Sequence, residues 1–186
     1  MKKIIQNILN EYLKLFPNEE DKQNKLLNFL NEYTSEEITD WNNFDGHIVA
    51  SGIIYTKKEN KFLVMAHKDL KIYTYPGGHI DKEDKNPLEA SKRETKEETG
   101  IDKFEVKSIS DDKLIPIDID IHQITYNERL NLPEHYHFDF RYLFIIENVQ
   151  KVELDLNELS EYKWITKEEF YNLFNLKEKI DKLLYS

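Results

Sequence analysis

The sequence predicts an α+β (mixed α/β) fold behind an N-terminal helical appendage. Three observations carry this. Apolar residues recur at helical spacing up to about residue 40. From Gly46 they run in strand-like blocks instead. One highly charged, well-punctuated helix interrupts those blocks, which leaves strands on both sides of it.

Each element has a local cause. Ile4, Ile5, Ile8, Leu9, Tyr12, Leu13 and Phe16 form one stripe over residues 2–16, and Pro17 ends that helix. Asn18 suits the cap of a second helix carrying Leu26, Leu27, Leu30 and Tyr33. Thr34 and Glu37 have the spacing of a capping box for a short third helix. Residues 1–43 are therefore expected as the appendage and 44–186 as the main domain. The apolar stripes need a partner, either the main domain or a second copy in a homodimer. "HIVASGIIYT" (47–56) and "KFLVMAH" (61–67) read as strands joined by a polar turn, and "YPGGH" (75–79) as a turn with two glycines. Asn86, Pro87 and Glu89 open a helix that Gly100 stops. Residues 103–109, 115–125, 136–146 and 161–165 read as strands, Thr166 and Glu169 cap a helix, and 177–184 form another.

The composition excludes several function classes. With no cysteine, disulfide and thiolate chemistry are out. The net charge of −10 disfavours a nucleic-acid polymer or an anionic membrane as partner. It permits a phosphorylated small molecule if a metal supplies positive charge. The N-terminal stretch is broken by Gln6, Asn7, Asn10 and Glu11, so it reads as neither signal nor spanning helix, and a cytoplasmic location is expected. The three arginines, Arg93, Arg129 and Arg141, stand out against a lysine-rich background.

The charged helix poses the functional question. Glu94, Glu97 and Glu98 of "KRETKEETG" (92–100) fall within a narrow arc, although like charges four apart repel. Arg93 is spaced to hold Glu89 and Glu97. A solvated charged face and a shared divalent cation both account for this pattern, since hard oxygen ligands suit Mg²⁺ or Mn²⁺.

The wider stretch "GGHIDKEDKNPLEASKRETKEETGI" (77–101) resembles the Nudix box. Gly78 matches its first glycine, and Arg93, Glu94, Glu97, Glu98, Gly100 and Ile101 match its second half in register. Asp84 stands where Glu is usual, one extra residue precedes Arg93, and Thr95 replaces an apolar residue. "GHIVASGIIY" and "EYKWITKEEF" resemble the family's opening strand and its closing strand and helix, so the likeness spans roughly 46–175. It implies a Nudix fold and Mg²⁺-dependent (or Mn²⁺-dependent) hydrolysis of a nucleoside diphosphate linked to another moiety. It also implies roles: Glu94, Glu97, Glu98 and the carbonyl of Gly77 as metal ligands, Glu94 or Glu98 as the group that activates water, and Arg93 as their orienter. A Nudix-like domain that binds a nucleotide metabolite without turnover is the alternative.

A second polar face accompanies the box. In "IPIDIDIHQIT" (115–125), Asp118, Asp120 and His122 oppose three isoleucines; in "HYHFDFRYLF" (135–144), His137, Asp139 and Arg141 oppose aromatics. If these strands pair antiparallel, joined through "NERLNLPE" (127–134), His122 comes near His137 or Asp139, and Asp120 near Asp139 or Arg141. Asp120, His122, His137, Asp139 and Arg141, together with His79, are the expected substrate-binding wall. Alternatively, His122, His137 and Asp139 bind a transition metal. Trp41, Tyr73 and Tyr75 are candidate base-stacking residues.

Overall fold

The computed structural model describes residues 1–68, 72–126, 128, 131–157 and 159–185. Two amphipathic helices, α1 (Lys2–Leu15) and α2 (Glu20–Glu32), come first. Between them Pro17–Glu19 makes a 3-10 turn, so Asn18 does not cap α2 as expected. Glu19 precedes α2 without a side-chain cap and uses its carboxylate elsewhere, accepting from the Tyr12 hydroxyl and pairing with Lys179 at 2.6 Å. The Thr34–Glu37 box does form: the Thr34 N–H donates to Glu37 and the Glu37 N–H to the Thr34 hydroxyl, opening the 3-10 turn Glu37–Thr39.

Among the described residues the strands are β1 (His47–Thr56), β2 (Lys61–His67), β3 (Tyr73–Thr74), β4 (Gly77–His79), β5 (Glu105–Lys107), β6 (Asp118–Ile124), β7 (His135–Ile146) and β8 (Leu159–Thr166). All join one mixed sheet whose main path is β3-β2-β1-β7-β5. β4 pairs with β1, β6 with β7 and β8 with β2. β1 and β7 run parallel, and every other pairing is antiparallel. The helices α3 (Pro87–Thr99), α4 (Lys167–Leu173) and α5 (Lys177–Leu184) complete the chain. Part of the connection expected over 127–134, including Arg129, lies outside the described residues.

"YPGGH" is not the turn expected. Gly77 and Gly78 sit in β4, opposite Ser51 and Ala50 of β1, and neither has a positive φ. Close approach, not turn geometry, requires them: a Cβ on Gly77 would meet Ser51 Oγ at 2.3 Å, and one on Gly78 the Glu94 carboxyl carbon at 2.7 Å. Gly100 does act as a helix stop, at φ 73°, with its N–H on the Lys96 carbonyl.

The sheet has an apolar core on each side. Ile48, Ala50 and Ile54 of β1, with Phe138, Phe140 and Phe144 of β7, share one core with Ile5, Leu9, Leu26 and Leu30 of the first two helices and Leu88 and Ala90 of α3. The alternate residues Ile53, Tyr55, Leu143 and Ile145 join Phe170, Ile180 and Leu183 of α4 and α5 on the other side. That second face changes character along the strands. Towards the start of β1 and β7 it presents His47, Ser51, His137, Asp139 and Arg141, and there the site lies.

Candidate active site

A cleft of about 590 Å³ opens over this polar half of the sheet. Its lining brings together Glu94 and Glu98 of α3, Gly77, Gly78 and His79 of β4, and Asp120, His122, His137, Asp139 and Arg141. α3 packs tightly against β1, where a Cβ on Gly52 would strike the Thr95 hydroxyl at 2.3 Å. This accounts for the small size of Thr95, although its buried hydroxyl has no hydrogen-bond partner among the described residues. Glu94 and Glu98 then reach the cleft past the two glycines of β4. The Gly77 N–H donates to Glu98 at 2.9 Å, and the carboxylate of Glu94 occupies the space that a side chain on Gly78 would need.

Arg93 organises the acids. Its Nη1 donates to Glu94 at 2.8 Å and to Glu97 at 2.9 Å. Its Nη2 donates to the His79 carbonyl at 2.8 Å and to Asp84 at 2.9 Å. The Asp84 side chain is only 7% exposed, so this aspartate, despite its shorter arm, is the guanidinium's sequestered counter-ion. The expected Glu89–Arg93 pair does not form. The guanidinium is fully engaged with these other groups, and Glu89 pairs with Lys92 at 2.8 Å instead. Glu97, with 58% of its side chain exposed, does not line the cleft. Burial raises the pKa of Glu94 above the ordinary carboxyl range, against the opposing charge of Arg93.

The opposite wall follows the β6–β7 register. His122 faces His137, Asp120 faces Asp139, and Asp118 faces Arg141. Arg141 bridges three aspartates, at 2.9 Å to Asp139, 3.1 Å to Asp118 and 2.6 Å to Asp120. Asp139 also accepts from the Ser51 hydroxyl at 2.8 Å. Burial alone would raise the pKa of Asp120, but its 2.9 Å contact with His122 and the charge of Arg141 hold it low.

The histidines gather differently from the expected His122, His137 and Asp139 group. Asp139 is committed to Arg141 and Ser51, and the ligand atoms that converge belong to His47, His79 and His137. His47 is buried at the head of β1, directly opposite His137. It carries no motif in the sequence; only the parallel β1–β7 register, which local patterning does not reveal, could have found it. His135 and Ser51, which meet His47 and Asp139 across the same strand pair, were missed for the same reason; Asp84 was placed in the motif, but its bond to Arg93 was not foreseen. Of the aromatic candidates, Tyr73 and Tyr75 line the cleft, whereas Trp41 is 53% exposed and does not.

A family model for the NUDIX domain matches residues 46–185. The chain belongs to the Nudix family. A curated relative from Lactococcus lactis subsp. cremoris, named "Probable DHNTP pyrophosphohydrolase", is 33% identical over 136 residues, covering 72% of this chain and 75% of the relative. Among solved structures, a NUDIX-family hydrolase from Clostridium perfringens is 26% identical with a TM-score of 0.53, over 74% of this chain and 95% of that one. The E. coli dihydroneopterin triphosphate pyrophosphohydrolase shares the fold at a TM-score of 0.55 and 14% identity, over 75% of this chain and 96% of that one. This Nudix chain is accordingly a pyrophosphohydrolase, with the α+β fold its sequence predicts. No helix among the described residues is long and apolar enough to cross a membrane.

Proposed function

We propose that this Nudix enzyme uses a divalent cation, Mg²⁺ or Mn²⁺, to hydrolyse a phosphoanhydride bond in a nucleotide-like substrate. The class is a nucleoside diphosphate carrying another moiety or a close analogue, and DHNTP, named for the L. lactis relative, is the first compound to test. The supporting observation is that one cleft holds both Glu94 and Glu98 and the Asp120–His122–His137–Asp139–Arg141 wall.

The donor set fits a hard cation. Glu94 and Glu98 offer carboxylate oxygens beside glycines that leave them room, while Glu97 and the Gly77 carbonyl are further donors only by resemblance to the Nudix box, since Glu97 lies outside the cleft lining. A bound ion would neutralise phosphate charge and lower the pKa of water. The protein's own groups do the rest. Arg93 fixes the direction of Glu94 and Glu97. Glu94, its proton affinity raised by burial, or Glu98 takes the proton from the attacking water.

The wall is built for the other end of the substrate. Three aspartates around Arg141 neutralise its charge, so it orders the wall and does not serve as a phosphate anchor. The outward acceptors, Asp120 and His122, suit the N–H edge of a heterocyclic base, and Tyr73 offers a ring face, whereas Tyr75 is buried beneath Arg141. The test is a panel of DHNTP, ADP-ribose, dinucleoside polyphosphates, NADH, nucleotide sugars and (d)NTPs with Mg²⁺ or Mn²⁺, with products separated by anion exchange. A substrate bearing a heterocyclic base should be cleaved at its phosphoanhydride, and His122→Ala or Asp120→Asn should raise KM for it more than it lowers kcat. No turnover of any compound, with or without metal, would refute the proposal.

A further inference from the structure

We propose that His47, His79 and His137 form a nitrogen-donor site for a transition-metal ion such as Zn²⁺, separate from the carboxylate site on α3. The three come from neighbouring strands, β4, β1 and β7. His47 lies directly across from His137, and His79 pairs with Val49, two residues along β1 from His47 on the same face. One ligand atom from each ring lies within 4.8 Å of the others. His47 Nε2 and His79 Nε2 are 3.1 Å apart. Two nitrogens on a tetrahedral Zn²⁺ at about 2.0–2.1 Å stand about 3.3–3.4 Å apart, so the His47–His79 pair is already close to ligand spacing and His137 needs a small shift.

The surroundings favour this use. Neutral imidazole is the form that binds metal, and His47 is buried at the head of β1 with His137 directly opposite it. His135 adjoins the ring of His137: its Nδ1 donates to the Pro133 carbonyl at 2.8 Å, and its Nε2 lies 3.2 Å from His137 Nε2. Such an outer contact commonly orients a metal-bound imidazole. An all-nitrogen set discriminates by chemistry. Imidazole suits zinc, cobalt, nickel or copper, whereas magnesium prefers the oxygens of Glu94 and Glu98. His79 and His137 also line the cleft, so an ion there would tie three strands together at its wall.

Chelator-stripped full-length protein, titrated with Zn²⁺ by calorimetry and with Co²⁺ by visible absorption, tests this. We expect one tight site per chain that millimolar Mg²⁺ does not displace, with Co²⁺ absorption of a nitrogen-ligated ion. His79→Gln, at the exposed end of β4, and His137→Gln should each weaken Zn²⁺ binding by about 10–100-fold, while Glu98→Gln leaves it unchanged. Unchanged Zn²⁺ affinity in a folded His79→Gln protein would overturn the proposal. So would loss of Zn²⁺ binding in Glu98→Gln alone, which would put the ion at the carboxylates. Mg²⁺-dependent turnover, measured separately, reports on the carboxylate site and not on this one.

Discussion

Asp84 shows how one side chain can matter more than its place in a motif suggests. It fills a position where the family pattern has glutamate, before a stretch to Arg93 that is one residue longer, and it is the sequestered partner of Arg93. Arg93 in turn sets Glu94 and Glu97. Asp84→Ala should therefore cost about 1–3 kcal/mol of stability, read from a denaturant midpoint, and lower turnover as well. A variant with wild-type stability and turnover would show that the loop holds Arg93 without it. His47 gives a pH prediction. Burial, then the charges of His79 and His135, lower its pKa from 6.5 to about 3. The unfolded chain takes up this proton first, so metal-free protein should lose stability as pH falls from about 6.5 towards 3. His47→Gln should flatten the slope of unfolding free energy across that window. An unchanged slope would show that His47 is not what titrates there.

At the scale of elements, much was legible in the sequence because the causes are local. The capping residues Asn86, Thr166 and Glu169, the stop at Gly100, and the bounds of β1 and β2 all follow from short-range rules. The alternation of Asp118–His122 and His137–Arg141 correctly placed their polar sides together, because period-two patterning fixes which residues share a face. What stayed hidden depends on tertiary approach. Gly77 and Gly78 read as a turn pair, yet they are strand residues made small by Ser51 and Glu94. The two glycines should accordingly fail differently. A Cβ at Gly77 meets the backbone of Ser51 at 2.8 Å, so Gly77→Ala should chiefly lower the melting temperature. A Cβ at Gly78 meets the movable carboxylate of Glu94, so Gly78→Ala should keep most stability but lose about tenfold or more in turnover. Equal loss of both properties in both variants would contradict this division.

For the whole molecule, the N-terminal helices are structurally continuous with the sheet. Phe29 stacks on Phe138 at 4.6 Å, Gln23 donates to the Ile119 carbonyl at 2.8 Å, and Lys179 of α5 pairs with Glu19 and Asp118. Removing residues 1–42 would bare Ile119 and Phe138, each worth about 1.5–3 kcal/mol when fully buried. The shortened protein should be poorly soluble or strongly destabilised; a stable, active one would mean the appendage is dispensable. The same continuity holds β6 and β7 in place, and with them the wall facing Glu94 and Glu98 across the cleft. On the proposed function, these carboxylates and the wall form one divalent-metal-dependent hydrolytic site. Its most direct test is turnover of the best panel substrate with Mg²⁺, with and without excess chelator, in wild type and Glu98→Gln. Turnover should be chelator-sensitive and fall on the order of 10²-fold or more in Glu98→Gln while the melting temperature holds. Chelator-resistant hydrolysis, or full activity in the variant, would contradict it.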